Sequence, residues 1–270
     1  MKNKADLSQF EEQKNKIENI YNIKNNDDSE YKAYGLTEEV IRDISVRKEE
    51  PEWMLDIRLK ALETYNKLDL PTWGPDLSEI DLNKIATYVK PKTDMKANWN
   101  DVPEDIKNTF EKLGIPEAER EALAGVGAQY DSEIVYHSIK KELTEQGVIY
   151  TDFESAVREY PEIIKEYFSK CISIPYHKFI ALHYAVWSGG SFVYVPKGVK
   201  VDIPLQSYFR LNAAGAGQFE HTLIIVEEDA YLHFIEGCSA PKYSELNLHA
   251  GAVELYVKDG ATLRYSTIEN

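Results

Sequence analysis

The stretches VPKGVKV (195–201), VEEDAYL (226–232) and VKDGATL (257–263) decide the fold of this chain. Each is 31 residues from the next, and they share the pattern V-x-x-[G/D]-[V/A]-x-[V/L]. The segment before each copy repeats as well: FVYV (192–195), LIIV (223–226) and ELYV (254–257). Runs of Val, Ile, Leu, Tyr and Phe of this length read as strands. The conserved Gly or Asp between them tolerates the left-handed backbone of a tight turn. A strand–turn–strand unit at one fixed period predicts a solenoid of stacked coils, a β-helix, against the alternative of evenly spaced hairpins. Alternation places Val201, Leu232 and Leu263 inward, and with them Ile203, Phe234, Tyr265 and Glu236. The third copy is followed only by residues 264–270, so an open strand edge is expected there. That edge suggests an N-terminal portion of a longer protein, or an edge that a partner covers.

Upstream of Ser188 the period is helical. Thr37 caps a helix with Glu38 and Glu39 in its first turn, the favourable side of the helix dipole. Pro51 opens a second helix whose Met54, Ile57, Ala61, Tyr65 and Leu68 form one stripe. Pro103 begins a third, with Ile106, Phe110 and Leu113 apolar; Gly114 stops it and Pro116 starts the next. Residues 130–151 are mixed, and 152–170 and 175–187 read as helical. The charged residues 1–32 read as a frayed helix and a solvated lead-in. The fold class is therefore α+β, with a flexible segment over 1–33, a mainly helical domain over 34–187 and an incomplete β-helix over 188–270.

The 270 residues carry a net charge of −15, which argues against a broad nucleic-acid or anionic-membrane surface. No apolar run approaches the roughly 18 residues that span a bilayer. The N-terminus is too charged for a secretion signal. Two cysteines are too few for a disulfide framework, and a reducing cytoplasm is the simplest compartment.

Cys238 lies on a Gly–Cys–Ser bend at the end of an apolar run. It reads either as a buried small hydrophobe or as a sulfur-carrying thiol. The second role needs a nearby cation, and Arg210, about one repeat earlier, is the candidate. Glu236 and Cys238 facing the interior would give the lumen a polar path. His221, His233, His249, Glu236 and Cys238 are ligand types for iron or zinc, with His233 and Glu236 the metal candidates, yet no spacing matches a zinc motif. Cys171 reads as a packing residue. Glu227, Asp229 and Glu254 read as a solvated face, or as the acidic cluster of a polysaccharide-active β-helix enzyme. No phosphate loop, nucleophile elbow or HExxH is present.

EPEWMLDIRLKALE (50–63), VPEDIKNTFEKLGIPEAEREALAGVGAQYDSEIVYH (102–137), WSGGSFVYVPKGVKVDIPLQSYFRLN (187–212) and FIEGCSAPKYS (234–244) resemble the SufB family, from about Tyr34 onward. These proteins are scaffolds of SUF iron–sulfur cluster assembly. The resemblance implies a helical domain followed by a right-handed parallel β-helix. It implies a cytoplasmic, non-enzymatic scaffold that works with the SufC ATPase, the related SufD and a desulfurase with its sulfur carrier. Sulfur would arrive as persulfide, and an iron–sulfur cluster would form transiently with most ligands outside this chain. Cys238 matches the family's internal cysteine, and Arg210 and Asn212 match residues lining the sulfur path. Glu269 stands where the family has Gln. An assembly module without sulfur chemistry of its own is the alternative.

Overall fold

The computed structural model describes residues 4–26, 29–113 and 122–269. The expected stop at Gly114 and start at Pro116 lie outside the described residues, as does Asn270. Helices α1 (Lys4–Tyr21), α2 (Glu38–Arg47), α3 (Glu52–Lys67) and α4 (Glu104–Leu113) precede the first large sheet. Thr37 caps α2, its hydroxyl accepting from the Val40 N–H at 3.2 Å, and Pro51 sits at the N-cap of α3. The stripe of α3 carries one residue that periodicity did not select. Arg58 is fully buried between Met54 and Ala61; it pairs with Glu50 and donates to the carbonyls of Ala185 (3.2 Å) and Trp187 (2.9 Å). A buried guanidinium persists because every side of it is paired.

A small antiparallel pair, β1 (Tyr31–Tyr34) with β2 (Ala86–Lys90), leads to the hairpin β3 (Gly125–Tyr130) and β4 (Glu133–Ile139). Then come α5 (Lys141–Glu145), β5 (Ile149–Asp152), α6 (Phe153–Glu159), α7 (Pro161–Tyr167) and α8 (Lys178–Val186). Residues 188–190 turn the chain into β6 (Ser191–Val195), β7 (Lys200–Arg210), β8 (Gly217–Gln218), β9 (His221–Val226), β10 (Tyr231–Ser239), β11 (Leu248–His249), β12 (Ala252–Val257) and β13 (Thr262–Glu269).

The repeat is realised as parallel pairing in step. Val195 lies opposite Val226 and Val226 opposite Val257. Val201 lies opposite Leu232 and Leu232 opposite Leu263. Hairpins would pair antiparallel, so that alternative is excluded. Three sheets result, ordered β12-β9-β6-β5, β13-β10-β7-β3-β4 and β11-β8. The equivalent turn positions Gly198, Asp229 and Gly260 all have left-handed φ, at 75°, 58° and 70°. Between the first two sheets, Val193, Val195, Val201, Leu205, Ile224, Val226, Leu232 and Phe234 are buried together. On the other side of β6 and β9, Phe192, Leu223 and Ile225 pack with α3, α6 and α8 residues. Strand β9 is buried on both faces, hence its unbroken run of apolar residues.

Three expectations change. Ile203 is 45% exposed rather than inward. The β7–β10 register slips between Leu232 and Phe234, bringing Leu205 rather than Ile203 opposite Phe234. Pro204, which has no N–H for a ladder, occupies the bulge. Glu254, expected on a solvated face, is fully buried. Its carboxylate accepts from the N–H groups of Ser169 (2.7 Å), Cys171 (2.8 Å) and Ile172 (3.3 Å) and from the hydroxyls of Tyr184 (3.0 Å) and Tyr256 (3.2 Å). Cys171 is exposed, not a packing residue, because this loop turns its backbone donors toward Glu254.

Candidate functional site

Strand β10 places Leu232, Phe234, Glu236 and Cys238 on the inner face of the stack, and Ser239 on the outer. Near the Cys238 end the interior becomes polar. The Cys238 thiol donates toward Gln218 Oε1 at 3.5 Å. Its Sγ lies 3.7 Å from Nδ1 and 3.8 Å from Nε2 of His249. His249 Nε2 in turn contacts the Glu220 carboxylate, which is 4% exposed. Glu236 accepts from the Thr222 hydroxyl at 2.7 Å and the Tyr265 hydroxyl at 2.9 Å. A cleft of about 330 Å³, lined in part by Ile80, His177, Ile180, Leu248 and His249, opens beside the imidazole.

The charges follow from this packing. Burial pushes the Cys238 thiol up, and Glu220 and Glu236 add to that, whereas the hydrogen bond with His249 pulls it down. Burial opposes a charge on His249, but the Glu220 carboxylate overcomes it and holds the imidazole pKa well above its usual value. Burial raises Glu236 to about 7, against hydrogen bonds from Thr222 and Tyr265 that lower it. The thiol thus sits beside an imidazolium–carboxylate pair that offsets part of the cost of a buried thiolate, and burial still leaves its pKa above the usual value.

His249→Ala is expected to slow alkylation of Cys238 at neutral pH by about tenfold or more, since one pKa unit is tenfold in thiolate. Mass spectrometry after iodoacetamide treatment reads this out, with the exposed Cys171 as internal reference. An unchanged rate would exclude His249 as the charge partner.

Arg210 was the expected partner, and the structure places it elsewhere. It lies opposite Ser239, not Cys238, in the β7–β10 register. Its guanidinium donates to Ser239 Oγ at 3.0 Å and to the Ile23 carbonyl. Burial lowers its pKa. Asn212 joins it on that side: the Asn25 N–H donates to Asn212 Oδ1 at 3.1 Å, and Asn25 Nδ2 donates to the Tyr130 hydroxyl at 2.9 Å. Residues 22–25, expected to be a solvated lead-in, are therefore held against the outer face of β7 by these bonds and by that from the Lys242 N–H to Asn22 Oδ1 at 2.8 Å. Glu269 lies directly opposite Cys238 on β13 and is exposed.

The two metal candidates are not brought together. His233 is opposite Arg264 on the outer face, whereas Glu236 points inward. His221 is drawn into a different buried chain, with His183 Nε2 at 2.9 Å from its Nδ1 and Glu254 at 3.4 Å from its Nε2. Among the described residues, Glu220, Cys238 and His249 form the one group whose ligand-type atoms all lie within 4.8 Å of one another. Sequence reading missed Glu220 entirely. The signal was the period itself, since 31 residues separate Gln218 from His249, which pair in β8–β11, and Glu220 from Gly251.

Residues 33–207 match the family model described as the SufBD protein N-terminal region. Residues 209–270 match the SufBD core domain of SUF system FeS cluster assembly. The chain is 56% identical over 236 residues to an iron–sulfur cluster assembly SufBD family protein of Staphylococcus haemolyticus, covering 87% of this chain and 51% of that protein. Family proteins of Staphylococcus epidermidis and Staphylococcus aureus are 55% and 54% identical over the same shares. The chain spans about half the length of these curated relatives. No helix among the described residues is long and apolar enough to cross a membrane. The parallel 31-residue stack with its helical neighbours, and the two family matches that together run from residue 33 to 270, say one thing: the chain belongs to the SufBD family of the SUF iron–sulfur cluster assembly system.

Proposed function

We propose that this chain is a SufB-type scaffold portion that accepts sulfur as persulfide on Cys238. The observation that carries the reading is the seating of the Cys238 sulfur 3.7 Å from His249, itself paired with Glu220, on the inner face of the stack. The Cys238 thiolate attacks the outer sulfur of a donor persulfide. The donor's S–S bond breaks, its cysteine leaves as a thiolate, and Cys238 keeps the transferred sulfur. His249 faces the anion at each stage. Arg210 and Asn212 act one face away, fixing Ser239 and the lead-in so that β10 presents Cys238 inward. Glu269 is the register partner of Cys238 on the next strand.

In this reading the coils wind as a right-handed parallel β-helix over 188–270, after a mainly helical domain over 34–187. The scaffold is cytoplasmic, and ATP hydrolysis belongs to a SufC partner, with SufD as the companion subunit. The desulfurase and its carrier supply sulfur, and the nascent iron–sulfur cluster is cargo.

The test is incubation with a cysteine desulfurase, its sulfur carrier and cysteine, followed by mass analysis of protein-bound persulfide. Cys171→Ser should label like the unaltered chain, and Cys238→Ser should not label. Equal labelling of both variants would remove Cys238 as the acceptor.

A further inference from the structure

We propose that Cys238, His249 and Glu220 form a binding site for one divalent transition-metal ion of the iron(II)–zinc class. Three separate pieces of chain supply the ligands: β10 the thiol, β11 the imidazole, and the residue just before β9 the carboxylate. Their ligand-type atoms all lie within 4.8 Å of one another. Tetrahedral bonds of about 2.0–2.3 Å set neighbouring ligand atoms roughly 3.3–3.6 Å apart. The 3.8 Å between Cys238 Sγ and His249 Nε2, the nitrogen that also meets Glu220, is already close to that edge. The Glu220–His249 contact is shorter, so a metal would enter by taking the place of the proton they share and moving the carboxylate slightly outward.

Two further features are those of a built site. Glu220 is 4% exposed, and its Oε2 is buried with no hydrogen-bond partner among the described residues. A buried carboxylate oxygen left unpaired is costly unless something positive meets it. Gly251 is the second feature. A Cβ there would sit 2.4 Å from Glu220 Oε1 and 3.2 Å from His249 Nε2, so the bare backbone makes room for both ligands.

The donor set decides the class of metal. Thiolate with imidazole and one carboxylate suits borderline ions and disfavours magnesium or calcium, which take oxygen cages. Three protein ligands leave a position open, as in sites that admit an outside ligand. Gln218 Oε1, a neutral oxygen, lies 3.5 Å from the sulfur, and the cleft beside His249 gives a way in. Binding displaces the thiol proton and the imidazole proton, which leave to solvent. The site shares Cys238 with the sulfur-acceptor reading but needs no sulfur donor, so either can fail alone. Where both hold, iron and sulfur meet on one cysteine.

The test is an anaerobic titration of the chain with cobalt(II) as the spectroscopic probe, then displacement by zinc. One equivalent should give a near-ultraviolet thiolate-to-cobalt charge-transfer band and the intense visible bands of four-coordination. Cys171→Ser should keep both. Cys238→Ser should lose the charge-transfer band. His249→Ala and Glu220→Gln should weaken binding by about tenfold or more, the cost of disturbing a metal's surroundings. Gly251→Ala, which crowds the carboxylate without removing a ligand, should also weaken it; circular dichroism checks each variant's fold. A weak six-coordinate spectrum from the unaltered chain, or a charge-transfer band surviving in Cys238→Ser, would overturn the proposal. Persulfide labelling that persists in Glu220→Gln while cobalt binding is lost would separate the two readings.

Discussion

Gly190→Ala is expected to leave the chain unable to reach its native fold. Gly190 has φ +97°, a backbone region that side chains rarely enter. A Cβ there would lie 2.1 Å from the carbonyl oxygen of His221 and 2.5 Å from its carbonyl carbon and amide nitrogen. Those are backbone atoms of β9, a strand paired on both sides, so nothing flexible can move away. The approach is close because residues 188–190 lie along 219–221: the Ser188 N–H donates to the Phe219 carbonyl at 3.0 Å, and the His221 N–H to that of Gly189 at 3.3 Å. Prying these apart would break the step from helix to first coil, at a cost of about 4 kcal/mol or more. Gly198→Ala is the control. Its φ is +75°, but nothing among the described residues lies within 4 Å of an added Cβ, so only the left-handed backbone penalty of about 1–2 kcal/mol applies. Denaturant unfolding of both variants distinguishes them; a Gly190→Ala protein as stable as Gly198→Ala would refute the argument.

The stacked strands were legible because the repeat is written in residues that do one job in every coil. Gly198, Asp229 and Gly260 must adopt positive φ, and Val195, Val226 and Val257 must stack. The Thr37 cap was legible for the same reason, being a local rule that tertiary context left alone. The charge partner of Cys238 was not found, although parity held the answer. Advancing Arg210 by one period gives an odd-numbered residue, and the bulge at Pro204 changes this by two, to Ser239. Either way Arg210 meets the face that Cys238 does not occupy. His249 and Glu220 lay in or beside two-residue strands, too short to carry alternation. Only the 31-residue step, applied outside the obvious strands, would have aligned Gln218 with His249 and Glu220 with Gly251. Docking of residues 22–25 had no sequence signal, since it rests on polar side chains meeting across nearly the whole chain.

Glu254→Ala is expected to cost about 3–5 kcal/mol, the range for removing one partner from a buried charged network. The carboxylate is the acceptor for three backbone N–H groups of the loop after α7 and for the Tyr184 and Tyr256 hydroxyls. Alanine would strand the three N–H donors, whereas the Tyr184 and Tyr256 hydroxyls keep the carbonyls of Ile172 (2.7 Å) and Tyr167 (2.8 Å) as acceptors, and the loop joins the helical layer to β12. Protonation should act in the same direction. Burial opposes the charge on Glu254, but His221 and the N–H groups of Ser169 and Cys171 hold its pKa at about 2, below the usual 4.5 of a glutamate. That stabilisation is present above pH 4.5 and is lost as pH falls toward 2. Burial likewise lowers His183 to about 3 and lowers His221, so the unfolded chain takes up protons below pH 6.5 that the folded chain refuses. Both contributions make acid destabilising. Glu254→Gln removes only the first, so its stability should fall less steeply than that of the unaltered chain between pH 4.5 and 2. The remaining slope includes that of the buried histidines, about 1.4 kcal/mol per pH unit for each while it is neutral only in the folded chain, which for His183 ends near pH 3. Urea unfolding across this range measures both slopes. Parallel curves would mean that Glu254 is already uncharged in the folded protein, and a loss below about 1 kcal/mol for Glu254→Ala would mean that water replaces it at the three N–H groups.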